Sequence, residues 1–135
     1  MNFGSLVAWV AEADEPRGRA VALALSARGA SVLVTGRNER AIAECVGEIA
    51  HAGGKARHFV GDAQSEAGVR ACVDAAVARF GAVHVAVIAE GTEEAPRVAW
   101  GRELPAVRVV SLSSAQDETA AVSAVLAELA PLAAN

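Results

Sequence analysis

Short runs of consecutive apolar residues alternate along this chain with longer stretches in which apolar positions recur every three or four residues. Leu6-Val7-Ala8-Trp9-Val10-Ala11, Ser31-Val32-Leu33-Val34, Val83 through Ala89 and Val107 through Leu112 are of the first kind, and Ala56-Arg57-His58-Phe59-Val60 is a weaker fifth. Runs this short and this apolar predict strands covered on both faces. The second kind predicts helices. Ile42, Cys45, Val46 and Ile49 follow the spacing i, i+3, i+4, i+7, as do Val69, Cys72, Val73, Ala76, Val77 and Phe80. A last stripe, Val122, Val125, Leu126 and Leu129, ends near Pro131. Gly29, Gly53-Gly54 and Gly81 stand where helices should stop, Ser65 is a predicted N-cap, and Ser114-x-x-Asp117 has the form of a capping box.

The order β-α-β-α-β-α-β, then a segment over 91–105, then β-α predicts one α/β domain over residues 1–135. Its sheet should be mostly parallel, with right-handed crossovers and helices on both faces. Segment 91–105, which carries Pro96, Trp100 and Pro105, is expected to be mostly irregular, with room for a short helix from Pro96. With 53% apolar and 21% charged residues the chain is not of the disordered class, and no apolar run approaches the roughly 18 to 20 residues that span a bilayer. Acidic residues outnumber basic ones 16 to 12 without any basic cluster, so neither a nucleic acid nor a membrane surface is an expected partner. Cys45 and Cys72 occupy apolar helical positions and are expected to be buried and reduced, and a cytoplasmic location is expected. His84, set among valines, reads as a core residue, while His51 and His58 fall at a helix end and in a strand. None of the three has a metal-ligand spacing, and no metal is expected. Tyrosine is absent and Lys55 is the only lysine, so chemistry that needs a Tyr beside a Lys is excluded.

In an open parallel sheet, ligands bind beyond the carboxyl ends of the strands. The residues there are Ala11-Glu12-Ala13-Asp14-Glu15-Pro16-Arg17-Gly18, Thr35-Gly36-Arg37-Asn38, Gly61-Asp62-Ala63, Glu90-Gly91 and Ser113-Ser114. Several of these loops lie in a longer series: Arg19 through Leu25 followed by Arg28-Gly29-Ala30, Val34-Thr35-Gly36-Arg37-Asn38-Glu39-Arg40, Ala52-Gly53-Gly54-Lys55-Ala56, Gly61-Asp62, and Arg79-Phe80-Gly81 before a valine-rich strand. In order and spacing this series resembles the short-chain dehydrogenase/reductase family, well over residues 5 to 91 and loosely over 106 to 115. The resemblance implies a three-layer α/β/α Rossmann-like sandwich with a five-stranded parallel sheet in the order 3-2-1-4-5.

The functional parts of that family are altered here. Its TGxxxGxG turn corresponds to Ala11 through Gly18, where only Gly18 of the three glycines survives. Those glycines let backbone N–H groups approach a pyrophosphate. Carboxylates stand there instead, and at roughly 6 Å and an effective dielectric near 20 each one facing a phosphate charge costs about 3 kcal/mol. Two such contacts offset most of a micromolar affinity, which is about 8 kcal/mol. Asp14 or Glu15, just before Pro16, is expected to cap the first helix, either as an ordinary N-cap or in a way that also fills the anion site with the protein's own charge, and both versions disfavour the cofactor. Ser114 aligns with the family's catalytic serine, but its Tyr-x-x-x-Lys corresponds to positions near Ala127 and Pro131. The resemblance also implies that Arg37 stands where NADP-preferring members hold a 2′-phosphate and Asp62 where they touch adenine. With Gly18, these are read as vestigial cofactor positions, and no cofactor is predicted, NADP being disfavoured.

The expected function is therefore that of a degenerate family member without dehydrogenase activity, a pseudoenzyme or assembly partner in a homo-oligomer or beside a related subunit. Apolar residues on the last helix, Val122, Val125, Leu126, Leu129 and Leu132, either leave surface for such a contact or face the sheet. One alternative is a nicotinamide-independent isomerase, cyclase or dehydratase using strand-end carboxylates, with Glu12, Glu90 and Ser114 as candidate catalytic residues. Another is a residual NADP(H)-binding reductase subunit that works with a partner.

Overall fold

The computed structural model describes residues 2–89, 107–113 and 115–133. Five strands, β1 (Val7–Val10), β2 (Ser31–Gly36), β3 (Lys55–Val60), β4 (Val85–Ala89) and β5 (Arg108–Leu112), form one sheet in the order β3-β2-β1-β4-β5, with every pairing parallel. The helices are α1 (Pro16–Ala27), α2 (Glu39–His51), α3 (Glu66–Phe80) and α4 (Glu118–Leu129), the last running into a 3-10 turn over Ala130–Leu132. This is the expected doubly wound sandwich, with strand boundaries within two residues of the apolar runs.

Alternation along the strands assigns side chains to two cores. Ala8, Val10, Val32, Val34, Val85, Val87, Val110 and Leu112 pack with Val21 and Leu25 of α1, Ile42, Cys45 and Ile49 of α2, and Val125 and Leu129 of α4. Trp9, Leu33, Ala86 and Ile88 point the other way, toward Val69, Cys72, Val73 and Ala76 of α3. The central strands are buried on both faces because helices cover both, as their unbroken apolar runs require. The stripe of α4 belongs to the first core: Val125 and Leu129 are buried, and Val122, Leu126 and Leu132 are partly buried against it. Of the two readings of this stripe, the structure shows the one in which it faces the sheet, because a helix crossing the sheet beside α1 spends its apolar side on the strands.

Helix starts follow local chemistry. Ser65 accepts the N–H of Gly68, Asn38 that of Ala41 and Asp117 that of Ala120, each satisfying a donor of the first turn. Asp117 is thus itself the cap of α4 rather than the far member of a box opened by Ser114, a residue outside those described. Gly81 ends α3 at φ 85°, a left-handed conformation that costs glycine nothing, and its N–H reaches the Val77 carbonyl.

His84 corrects another expectation. It lies just ahead of β4 and is exposed, with its ring Nδ1 accepting the Val7 N–H at 2.9 Å and its backbone N–H donating to the Val7 carbonyl at 2.9 Å. The imidazole extends the parallel ladder where β1 and β4 begin, so its polar ring serves the strand end instead of the core. Cys45 and Cys72 are free and buried, as expected. Burial pushes both thiols up, that of Cys72 to about 11, which leaves them protonated and unreactive. Phe3, outside every predicted element, is only 1% exposed and joins the first core. No helix among the described residues is long and apolar enough to cross a membrane.

Candidate functional site

The carboxyl ends of β1, β2 and β3 open onto a cleft of about 130 Å³ lined by residues of three loops. Glu12, Asp14 and Glu15 come from the loop after β1, Gly36 and Arg37 from the end of β2, and Gly61 through Gln64 from the loop after β3. The fold therefore brings together three residues singled out in the sequence, Glu12, Arg37 and Asp62. Gly18 lies in an adjoining hollow of about 30 Å³ that shares Glu12 and Glu15 and also includes Ala11, Arg17, Ala89 and Leu112. Glu90 and Ser114 fall outside the described residues.

The turn after β1 has lost two of the three glycines of the family's pattern. Glu12 has φ 52° and is the only non-glycine residue with positive φ among those described. An L-residue held there costs about 1 to 2 kcal/mol, and this one stands where the family's pattern has its first glycine. Gly18 shows why the third glycine persists: a Cβ on it would lie 2.4 Å from the Glu12 carbonyl oxygen. The first turn of α1 thus rests directly on the backbone of the preceding loop. Pro16 occupies the first turn with Glu15 at the N-cap, and the Glu15 side chain makes no capping bond.

Asp14 does not cap α1 either, which corrects the sequence expectation. Its Oδ2 accepts the N–H groups of Arg37 and Asn38, both at 3.1 Å. The Ala13 N–H donates to the Thr35 carbonyl at 2.9 Å, so the loop is stitched to the end of β2, and this carries the carboxylate away from the helix it precedes. Gly36 makes the approach possible, since a Cβ there would stand 2.7 Å from the Asp14 carboxyl carbon. The self-supplied negative charge is present, seated on a different pair of backbone donors from the one expected.

Arg37 is exposed and its Nη2 donates to Gln64 Oε1 at 3.3 Å. Asp62 accepts the Gln64 N–H through Oδ1 at 2.9 Å, which folds the loop after β3 back on itself. Gln64, which ties Arg37 to that loop, was missed in the sequence, where nothing but its distance of two residues from Asp62 could have suggested it. Arg17 reaches across the hollow to the Ser113 carbonyl at the end of β5. Beneath the cleft, Trp9 Nε1 donates to Thr35 Oγ1 at 2.8 Å in the buried interior.

Electrostatically the cleft is acidic, with Glu12, Asp14, Glu15 and Asp62 facing Arg37, the one cation among the described lining residues. Burial pushes the Glu12 carboxyl above its ordinary value of 4.5, the Glu15 and Asp14 charges add to this, and Arg37 and Arg17 oppose it. A carboxyl with a raised native pKa binds protons more tightly in the folded state, so its ionised form detracts from stability, and that loss sets in as pH rises through the range just above 4.5. Glu12→Gln is accordingly expected to melt at a higher temperature than the parent at neutral pH. The gap should close as pH falls below that range, and a variant less stable than the parent at neutral pH would contradict the assignment. No group of three or more His, Cys, Asp or Glu among the described residues is placed to hold a metal ion.

A family model described as short chain dehydrogenase matches residues 7–128. Cyclohexanol dehydrogenase from Acinetobacter sp. (strain SE19) is 34% identical over 108 residues, an alignment that takes in 75% of this chain and 43% of that protein. A hydroxysteroid dehydrogenase from Escherichia coli superimposes with a TM-score of 0.63 at 30% identity, over 67% of this chain and 38% of that one. A short-chain type dehydrogenase/reductase from Mycobacterium marinum gives a TM-score of 0.72 at 22% identity over 96% of this chain and 71% of its own, a likeness of fold. The chain spans less than half the length of the Acinetobacter and Escherichia coli proteins. With the matched residues running from the first strand almost to the end of α4, and with the sheet order and the turn after β1 described above, the chain belongs to the short-chain dehydrogenase family.

Proposed function

We propose that this family member neither binds a nicotinamide dinucleotide nor reduces a carbonyl group with its own residues, and that it serves as an assembly partner in a homo-oligomer or beside a related subunit. The observation that carries this reading is the row of carboxylates at Glu12, Asp14 and Glu15, which line the cleft where the fold family would seat the cofactor's phosphates. The residues present do not fit that group. A dinucleotide would bring its negative charges against them in a cleft of about 130 Å³, whereas pockets for small organic ligands run from roughly 300 Å³ upward. Glu12 occupies the position from which a glycine would let the backbone approach a pyrophosphate. The absence of tyrosine supports the catalytic half of the reading. Arg37 and Asp62 are then inherited positions, engaged with Gln64. A cytoplasmic location goes with this reading, supported by two unpaired buried thiols.

Titration with NADPH and NADH, followed by nicotinamide fluorescence and by melting temperature, is expected to show no saturable binding. A dissociation constant in the micromolar range, about 8 kcal/mol of affinity, would overturn the reading. Size exclusion with light scattering on the same preparation checks the assembly half, and a monomer would remove the homo-oligomer.

One observation favours a second reading, an acid/base enzyme that uses no nicotinamide. The Glu12 carboxyl stands at the cleft wall with its proton held more tightly than an ordinary carboxyl holds it, a shift in the direction that general acid–base catalysis uses. In that reading Glu12 is the group that moves the proton, and Glu12→Gln abolishes turnover.

A further inference from the structure

We propose that His84 is an acid-sensitive latch: its neutral ring closes the end of the sheet where β1 and β4 begin, and protonation of Nδ1 loosens the start of β1. Three strands meet at this residue. Its backbone N–H donates to the Val7 carbonyl of β1 at 2.9 Å, its carbonyl accepts the Arg108 N–H of β5 at 3.0 Å, and its ring Nδ1 accepts the Val7 N–H at 2.9 Å. The register of β1 with β4 runs from Ala8 and Val85 onward, so the imidazole carries the pairing one residue beyond it. Val7 is buried whereas His84 is exposed, so the ring partners a buried donor while staying open to protons from solvent. Upstream, the Leu6 carbonyl accepts the Ser31 N–H at 3.0 Å and the Phe3 N–H donates to the Arg28 carbonyl at 2.8 Å, bonds that confine the opening to the strand start.

An imidazole nitrogen accepts a hydrogen bond only while it carries no proton, so this bond requires the neutral ring with its hydrogen on Nε2. A proton on Nδ1 would meet the Val7 N–H donor against donor and leave a buried amide without its acceptor. Histidine changes charge between about pH 5 and 8, and the fold uses the neutral form. The bond's contribution is therefore present on the alkaline side of that range and fades as pH falls through it. The charged groups around the ring leave this exchange intact. Neither β1, nor the segment over 2–6, nor the connection over 81–83 carries a titratable side chain. β5 brings Arg108, whose guanidinium donates to the carbonyl of Glu128 on α4. α3 brings Arg79, whose guanidinium donates to the Ala75 carbonyl and lies 5.8 Å from the centre of the Phe59 ring. Among the described residues no carboxylate pairs with the imidazole to favour its charged form. The latch sits at the amino ends of the parallel strands, opposite the cleft, and works independently of what the cleft binds.

Asparagine is the informative replacement, because its Oδ1 stands where Nδ1 stands and accepts at every pH. The test compares the parent, His84→Asn and His84→Ala by denaturant midpoint and by amide hydrogen exchange, at about pH 8 and about pH 5. The parent and His84→Asn are expected to share a midpoint at the higher pH, and the parent to fall below His84→Asn at the lower. Protection of the Val7 amide in the parent should drop about three- to tenfold between the two conditions, the worth of one hydrogen bond. His84→Asn should keep that protection at both, and His84→Ala should lack it at both. His51 and His58 are common to all three proteins, so their titration cancels from the comparison. Parallel changes with pH in the parent and His84→Asn would overturn the proposal, as would a His84→Ala variant that protects Val7 as well as the parent does at the higher pH. Should His84→Asn fail to fold by circular dichroism, the parent alone decides: Val7 protection is read against that of Trp9 in the same strand, and the absence of any relative loss at the lower pH would overturn the proposal.

Discussion

Trp9→Ala is expected to lower the stability of the domain by about 3 to 5 kcal/mol, the cost of emptying a large aromatic site in a closed core. Trp9 sits in the central strand with 0% of its surface exposed, paired with Leu33 of β2 and Ala86 of β4 and belonging to the core beneath α3. Nothing nearby can collapse into the space, because the strands are fixed by their ladders and most of the facing residues on α3 are small. The indole also keeps the buried Thr35 hydroxyl partnered at 2.8 Å. Against a total stability of about 5 to 15 kcal/mol, a loss of this size should lower the melting temperature by more than about 10 °C. Trp9→Phe separates the two contributions: it keeps most of the volume, leaves Thr35 without its donor, and should lose only about 1 to 2 kcal/mol. An alanine variant that melts within a few degrees of the parent would show that the helix can settle onto the sheet.

Gly18→Ala is the second large effect, with an expected loss of about 3 kcal/mol, read as a shift in the denaturant midpoint. The added methyl would lie 2.4 Å from the Glu12 carbonyl oxygen, 2.9 Å from its carbon and 3.1 Å from the Ala11 oxygen. All three are backbone atoms, so no side chain can swing aside, and Glu12 is already held at φ 52°. The start of α1 would have to lift off the loop, opening the first core along it. This prediction bears on function, since Gly18 is the surviving glycine of a nucleotide-binding pattern. Packing accounts for its retention whether or not a nucleotide binds, and an alanine variant with the parent's midpoint would return it to the list of ligand-binding candidates.

Much of the fold was legible because each level of the sequence agrees with the next. Unbroken apolar runs such as Val32-Leu33-Val34 can only be strands with helices on both sides, and the stripe Ile42, Cys45, Ile49 has one face to bury. Asn38 and Ser65 act within three residues of themselves, so their caps are local matters. His84 was misread because apolar neighbours suggest burial, while the start of a ladder rewards a polar side chain that can continue it. In the sequence the α4 stripe stands between a contact surface and a core face, because periodicity marks an apolar face without naming what that face meets.

The candidate site divides along the same line. That Glu12, Arg37 and Asp62 stand at the carboxyl ends of neighbouring strands follows from the sheet order, which the family resemblance implied and the structure shows. By itself the amino-acid order determined the layered α/β architecture, the missing tyrosine and the acidic replacement of the glycine turn, because those depend on residue type and on spacing along the chain, while the strand order was implied by the resemblance of its motif series to a known family. Only the tertiary structure decided that Asp14 turns from its own helix to the amides of Arg37 and Asn38, that Gln64 holds Arg37, and that Gly18 rests on Glu12. Such contacts join residues more than 20 positions apart, or depend on the direction of one carbonyl, and hydrogen-bond donors are assigned to acceptors by distance in space.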